Sequence, residues 1–110
     1  ETIGERSFSK SGLVDITIPS SVVIVCEGAF CNCRTLFQVI FTEESRLEEI
    51  GNHSFDGTGV KEVTIPKITK HIGDSVFSDC AKLDTVLFQE GSLLKEIGDK
   101  CFSNSGLEEF

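Results

Sequence analysis

The chain has 110 residues, 39 % of them apolar, with a formal net charge of −8 and a pI near 4.6. That apolar share is ordinary for a folded domain and argues against disorder, while the negative balance argues against nucleic acid or a bare anionic membrane as a partner. The longest apolar run, Val22-Val23-Ile24-Val25-Cys26, falls far short of the roughly 20 residues that cross a bilayer, and the opening Glu1-Thr2 is not the basic start of a signal peptide.

Nine Phe residues stand beside no Trp, Tyr or Met, a bias that points to one structural niche copied several times. In chain order the copies are Ile3-Gly4 with Phe8, a degenerate Val25-Cys26 with Phe30, Ile50-Gly51 with Phe55, Ile72-Gly73 with Phe77, and Ile97-Gly98 with Phe102. The anchor Phe intervals are 22, 25, 22 and 25 residues, so two repeat types alternate. The three extra residues of the longer type divide into one before its Leu and two in the connection, where Thr42–Leu47 and Gln89–Leu94 stand in equivalent places.

Each Leu-x-x-Ile-x-Ile segment alternates at its end and is rich in β-branched or aromatic side chains, which predicts strands at about 13–18, 36–41, 60–65, 83–88 and from 107 onward. Pro19 and Pro66 follow directly and end them. A second short extended piece precedes each anchor Gly, as at 22–25 and 70–72. The Gly then permits a turn, and 74–77 and 99–102 are expected to form helical turns with Asp near the start. No single repeat buries its own Phe, Leu and two Ile, so the copies stack. The expectation is a leucine-rich-repeat-like solenoid of alternating 22- and 25-residue repeats, with a parallel sheet on one face, short strands and helical turns on the other, and a Phe column through its centre. The chain begins inside one repeat and ends inside another, which reads as an uncapped excerpt of a longer array spanning 1–110.

Ile65-Pro66, Ile72-Gly73, Phe77, Cys80 and Leu83 resemble the BspA-like, or Treponema pallidum-type, leucine-rich repeats. The alternation with Phe-x-Glu-x-Ser-x-Leu units is most similar to surface proteins of trichomonad-type protists. Cys26 departs from the pattern in place of the turn Gly, Phe41 and Phe88 lack a following Pro, and Ser11, Thr58 and Ser105 lie near the expected Cys position. The resemblance implies a large secreted or surface-anchored protein that adheres to host cells, matrix or other microbes.

The outward strand positions form the candidate partner-binding surface, in two columns: Asp15, Gln38, Glu62, Thr85 and Glu109, then Thr17, Ile40, Thr64 and Leu87. Exposed aliphatics beside carboxylates suit a protein with basic and apolar groups; the bland reading is a ligandless face of strand-favouring residues. Five cysteines cannot all pair internally. Cys33 and Cys80, two repeats apart, are separated by roughly 10 Å, beyond the ~7 Å limit for a bridge. Those two and Cys101 read as small buried hydrophobes. Cys26, Cys31 and Cys33 are closer together and leave a metal or disulfide reading open, against which stands the lack of a second Cys/His pair at zinc-like spacing. His53 and His71 are placed on the edge.

No catalytic residues, cofactor or metal are assigned. The pairs Glu43-Glu44, Glu48-Glu49 and Glu108-Glu109 read as solvated loop faces, without an Asp-x-Asp calcium pattern. Asn52-His53-Ser54 is a glycosylation sequon whose Ser54 falls in a small buried slot. The expectation is a non-catalytic recognition module of a cell-surface adhesin. An intracellular or structural scaffold is the alternative, to which free cysteines lend some support.

Overall fold

In the computed structural model, which describes residues 1–107, each coil spends its alternating apolar segment on one strand and the residues before its anchor on a second, shorter one. In chain order these are β1 (Thr2–Ile3), β2 (Asp15–Ile18), β3 (Ile24–Val25), β4 (Gln38–Phe41), β5 (Glu49–Ile50), β6 (Glu62–Ile65), β7 (His71–Ile72), β8 (Thr85–Phe88) and β9 (Glu96–Ile97). Equivalent segments of successive coils pair in parallel. They form the expected sheet, β2-β4-β6-β8, and the short strands expected on the other face pair into a second sheet of their own, β1-β3-β5-β7-β9. The result is a parallel-strand solenoid. The longer strands start two residues later than the pattern predicts, and the one expected from 107 onward falls largely outside the described residues.

The core is the expected aromatic column. Phe30, Phe55 and Phe77 are at most 1 % exposed, and the rings stack from Phe8 through Phe102 at centroid separations of 5.3, 5.2, 5.7 and 5.8 Å, within 9° of parallel. Leu36, Val60 and Leu83 pack beside them, with Ile18 and Ile65 below the sheet.

The helical turns are absent: no helix occurs among the described residues. A helical turn at 74–77 would return its amides to carbonyls of its own coil four residues back. Instead Ser75, Phe77 and Asp79 donate to Asp99, Cys101 and Ser103 of the next coil at 2.9, 2.8 and 2.8 Å, while Ser78 between them donates back to Ser75. Phe8 and Lys10, and likewise Phe30 and Asn32, make the same outward donations. The residues two before and two after each Phe adopt positive φ to aim these amides: Arg6 and Lys10, Gly28 and Asn32, His53 and Gly57, Ser75 and Asp79, Lys100 and Asn104. For the eight non-glycine residues this conformation is unfavourable, by about 1 kcal/mol or more each, and the cross-coil bonds offset it.

The anchor glycines also have a different basis from the one expected. Gly51, Gly73 and Gly98 do not have positive φ; they are glycine because the preceding coil passes too close for a side chain. A Cβ on Gly51 would lie 2.8 Å from the Glu27 nitrogen, and one on Gly73 2.8 Å from the Asn52 nitrogen.

All five cysteines are free, with Cys33, Cys80 and Cys101 buried and Cys26 and Cys31 half-buried. Position by position, Ser11, Cys33, Thr58 and Cys80 make a column that alternates hydroxyl and thiol. The Cys33 and Cys80 thiols donate to the Phe8 and Phe55 carbonyls of the preceding coil at 2.9 and 3.1 Å, and pair with the Ser11 and Thr58 hydroxyls at 3.4 and 3.3 Å. Burial raises the Cys80 thiol pKa, and raises that of Cys101 from the ordinary 9.0 to about 11.

Four measurements follow from this packing. Phe77→Ala lowers stability by about 3–5 kcal/mol in a thermal melt, whereas Lys82→Ala on the surface leaves the midpoint where it was; equal shifts would contradict the core. Gly73→Ala costs about 1–3 kcal/mol through overpacking, and Gly12→Ala, where a Cβ meets nothing within 4 Å, is tolerated. In thiol titration Cys26 and Cys31 label first, and Cys33, Cys80 and Cys101 wait for denaturant. Because the folded state holds Cys101 protonated to about pH 11 and the unfolded chain releases that proton near 9.0, this contribution is full below 9.0 and disappears as pH rises through that window. A urea midpoint that does not fall across it would refute the assignment.

Candidate functional site

Strand side chains alternate between faces, and parallel register lines up those pointing outward. Asp15 stands beside Gln38, Gln38 beside Glu62 and Glu62 beside Thr85; Thr17 stands beside Ile40, and Thr64 beside Leu87. The first column thus runs unbroken from Asp15 to Thr85, while the second falls into two pairs with no register pair joining Ile40 to Thr64; all of these residues are exposed except half-buried Thr85. Glu109 lies outside the described residues. Ile40 and Leu87 are 44 % and 48 % exposed.

A third column was missed. Val14, Phe37, Lys61 and Asp84 sit one residue before the strands and also face outward, with Val14 and Phe37 each 52 % exposed. Their backbones bond from coil to coil, Phe37 to the Val14 carbonyl at 2.9 Å and Asp84 to the Lys61 carbonyl at 3.0 Å. Strict alternation over 13–18 would hide this column; two consecutive residues face outward because regular strand begins only at Asp15. The available signal was Phe37 itself, a Phe outside the anchor register.

Charge on the face is uneven. Lys61 Nζ lies 3.3 Å from Asp84 Oδ2. The Thr85 hydroxyl donates to Asp84 Oδ1 at 2.9 Å, and this bond first, then Lys61, holds the Asp84 carboxyl below its usual pKa. Asp15 and Glu62 have no ion-pair partner among the described residues. The sheet is also unevenly knit: β2–β4 and β6–β8 share four register pairs each, but β4–β6 shares only Gln38↔Glu62. Over that seam lies an open depression of about 420 Å³ lined by Phe37, Gln38, Ile40, Lys61, Glu62 and Thr64 on its outer side.

The remaining candidates separate in space. His71 lies within the short-strand sheet and not at an edge: its register neighbours are Glu49 and Glu96, and its Nδ1 is 2.7 Å from Glu96 Oε1. His53 is exposed, with Nδ1 2.8 Å from Asp56 Oδ2. Among the described residues no group of three or more His, Cys, Asp or Glu is arranged to hold a metal ion. Desolvation, and then the nearby Asp56 charge, raise the Cys31 thiol pKa, the opposite of an activated nucleophile. Asn52 is exposed, but its Oδ1 accepts the Asp74 amide at 2.8 Å, and Ser54 is fully buried with its Oγ unpartnered. No helix is long and apolar enough to cross a membrane among the described residues.

Comparison with curated proteins gives no match. Two crystal structures share the fold. The pneumococcal vaccine antigen PcpA is 27 % identical with a TM-score of 0.86, over 94 % of this chain and 28 % of that one. A leucine rich cell surface protein from Faecalibacterium prausnitzii A2-165 is 25 % identical with a TM-score of 0.60, over 99 % of this chain and 36 % of that one. The chain thus spans roughly a third of the length of either protein, and the trichomonad likeness has no counterpart in these two. The profile of the BspA type leucine rich repeat region matches residues 1–110 in six copies. With its alternating coils, parallel sheets and buried Phe column, the chain belongs to the BspA-type leucine-rich-repeat family.

Proposed function

We propose that the chain is a non-catalytic protein-recognition segment of a cell-surface adhesin, and that its four-stranded sheet is the contacting face. The observation that carries this reading is the set of large apolar side chains, Val14, Phe37, Ile40 and Leu87, held outward on a regular scaffold beside the carboxylates of Asp15 and Glu62. Exposed aromatic and aliphatic groups are the material of interface anchors. A rigid strand surface presents them with little ordering cost on binding. The two structural relatives are a vaccine antigen and a cell surface protein, which supports an extracellular setting; within that setting the ligand we infer is a host or matrix protein. The array is part of a longer one, in which further coils add contacts and avidity.

The scaffold reading rests on the free cysteines, which are commoner in reducing compartments. Burial of Cys33, Cys80 and Cys101 weakens it, because thiols shielded in a core are inert in either setting.

In a pull-down from host-cell surface and matrix material, Ile40→Glu/Leu87→Glu reduces capture at least about tenfold, the equivalent of ~1.4 kcal/mol. Equal capture by wild type and the double variant removes the sheet face from consideration.

A further inference from the structure

We propose that the depression over the β4–β6 seam receives an arginine side chain from the partner protein; this rests on the sheet being the recognition face. Its walls have two chemistries. Phe37 and Ile40 supply an exposed ring and an aliphatic surface, and Glu62 supplies a carboxylate without an ion-pair partner among the described residues. Lys61, the cation lining the depression, is turned to Asp84 at 3.3 Å, which leaves the Glu62 charge uncompensated. Gln38, in register with Glu62, brings an amide to the same spot, and Asp15, next in that column, adds a second unpaired carboxylate.

An arginine matches all three surfaces together. Its aliphatic stem lies along Ile40, its planar guanidinium covers the Phe37 ring, and its forked N–H groups donate to Glu62 and the Gln38 carbonyl oxygen. Lysine offers a point charge without the plane, and a neutral apolar residue leaves Glu62 desolvated and unpaired. The net charge of −8 draws a basic segment towards the protein from a distance.

The test is an amide-shift titration of the ¹⁵N-labelled 110-residue protein with acetyl-Gly-Leu-Arg-Leu-Gly-amide and with analogues carrying citrulline or lysine in place of arginine. The arginine peptide is expected to shift the amides of residues 37–41 and 61–64, with citrulline and lysine binding about fivefold more weakly or less. Phe37→Ala and Glu62→Gln, both at exposed positions, each weaken the arginine peptide about two- to fivefold while the other resonances stay in place. Equal shifts from the citrulline or lysine peptide, indifference to both substitutions, or shifts concentrated at Glu43, Glu44 and Glu90 would overturn the proposal. If Ile40→Glu/Leu87→Glu abolishes pull-down while the arginine peptide shows none of these effects, the arginine is wrong and the recognition face stands. If the double variant captures as wild type does, the face falls and the arginine with it.

Discussion

Everything in this solenoid depends on main-chain amides being handed from one coil to the next around the whole perimeter. In the turn segments the hand-over falls on every second residue, the Phe and the residues two to either side of it, while the amides between turn back within their own coil. Buried amides without partners are costly, so this division fixes the coil spacing, and the spacing brings consecutive Phe rings within 6 Å of one another in near-parallel planes. Strain at the positive-φ residues and the tight anchor glycines are consequences of the same closeness.

The sequence made the period, the strand identities, the Phe column and the two outward strand columns legible, because each is an apolar or polar choice repeated at fixed spacing. Hydrogen-bond direction is not such a choice. Asp74-Ser75-Val76-Phe77 is compatible with a helical turn by composition, and only a neighbouring coil makes the flat, alternating arrangement better. One clue was present: the residue two after each Phe is Lys10, Asn32, Gly57, Asp79 or Asn104, and Asn, Asp and Gly are the residues most tolerant of positive φ. The anchor glycines invited a conformational explanation, but their role concerns another coil's backbone, which no local pattern reveals.

The candidate face shows the same division. Ile40 and Leu87 were readable from alternation, whereas Phe37 and Val14 required knowing where regular strand begins. The β4–β6 seam joins a longer repeat to a shorter one, where β2–β4 and β6–β8 join a shorter to a longer, so the spacing marked it as different; that it would share one register pair against four was not readable. Of two adjoining seams built from the same repeat types, the one with fewer register pairs is the one that carries the depression.

The hydroxyl–thiol alternation at Ser11, Cys33, Thr58 and Cys80 sets a rule for how such an array grows. Neighbouring coils stand roughly 4.8 Å apart, inside the ~4.4–6.8 Å Cα window in which two cysteines close a disulfide, and alternate coils stand roughly 10 Å apart, outside it. A serine or threonine in every second coil therefore insulates each thiol from the next. Duplication of a whole coil pair keeps that insulation, while loss of a single hydroxyl coil or gain of a single thiol coil brings two thiols into contact at one junction and exposes the array to oxidative cross-linking there.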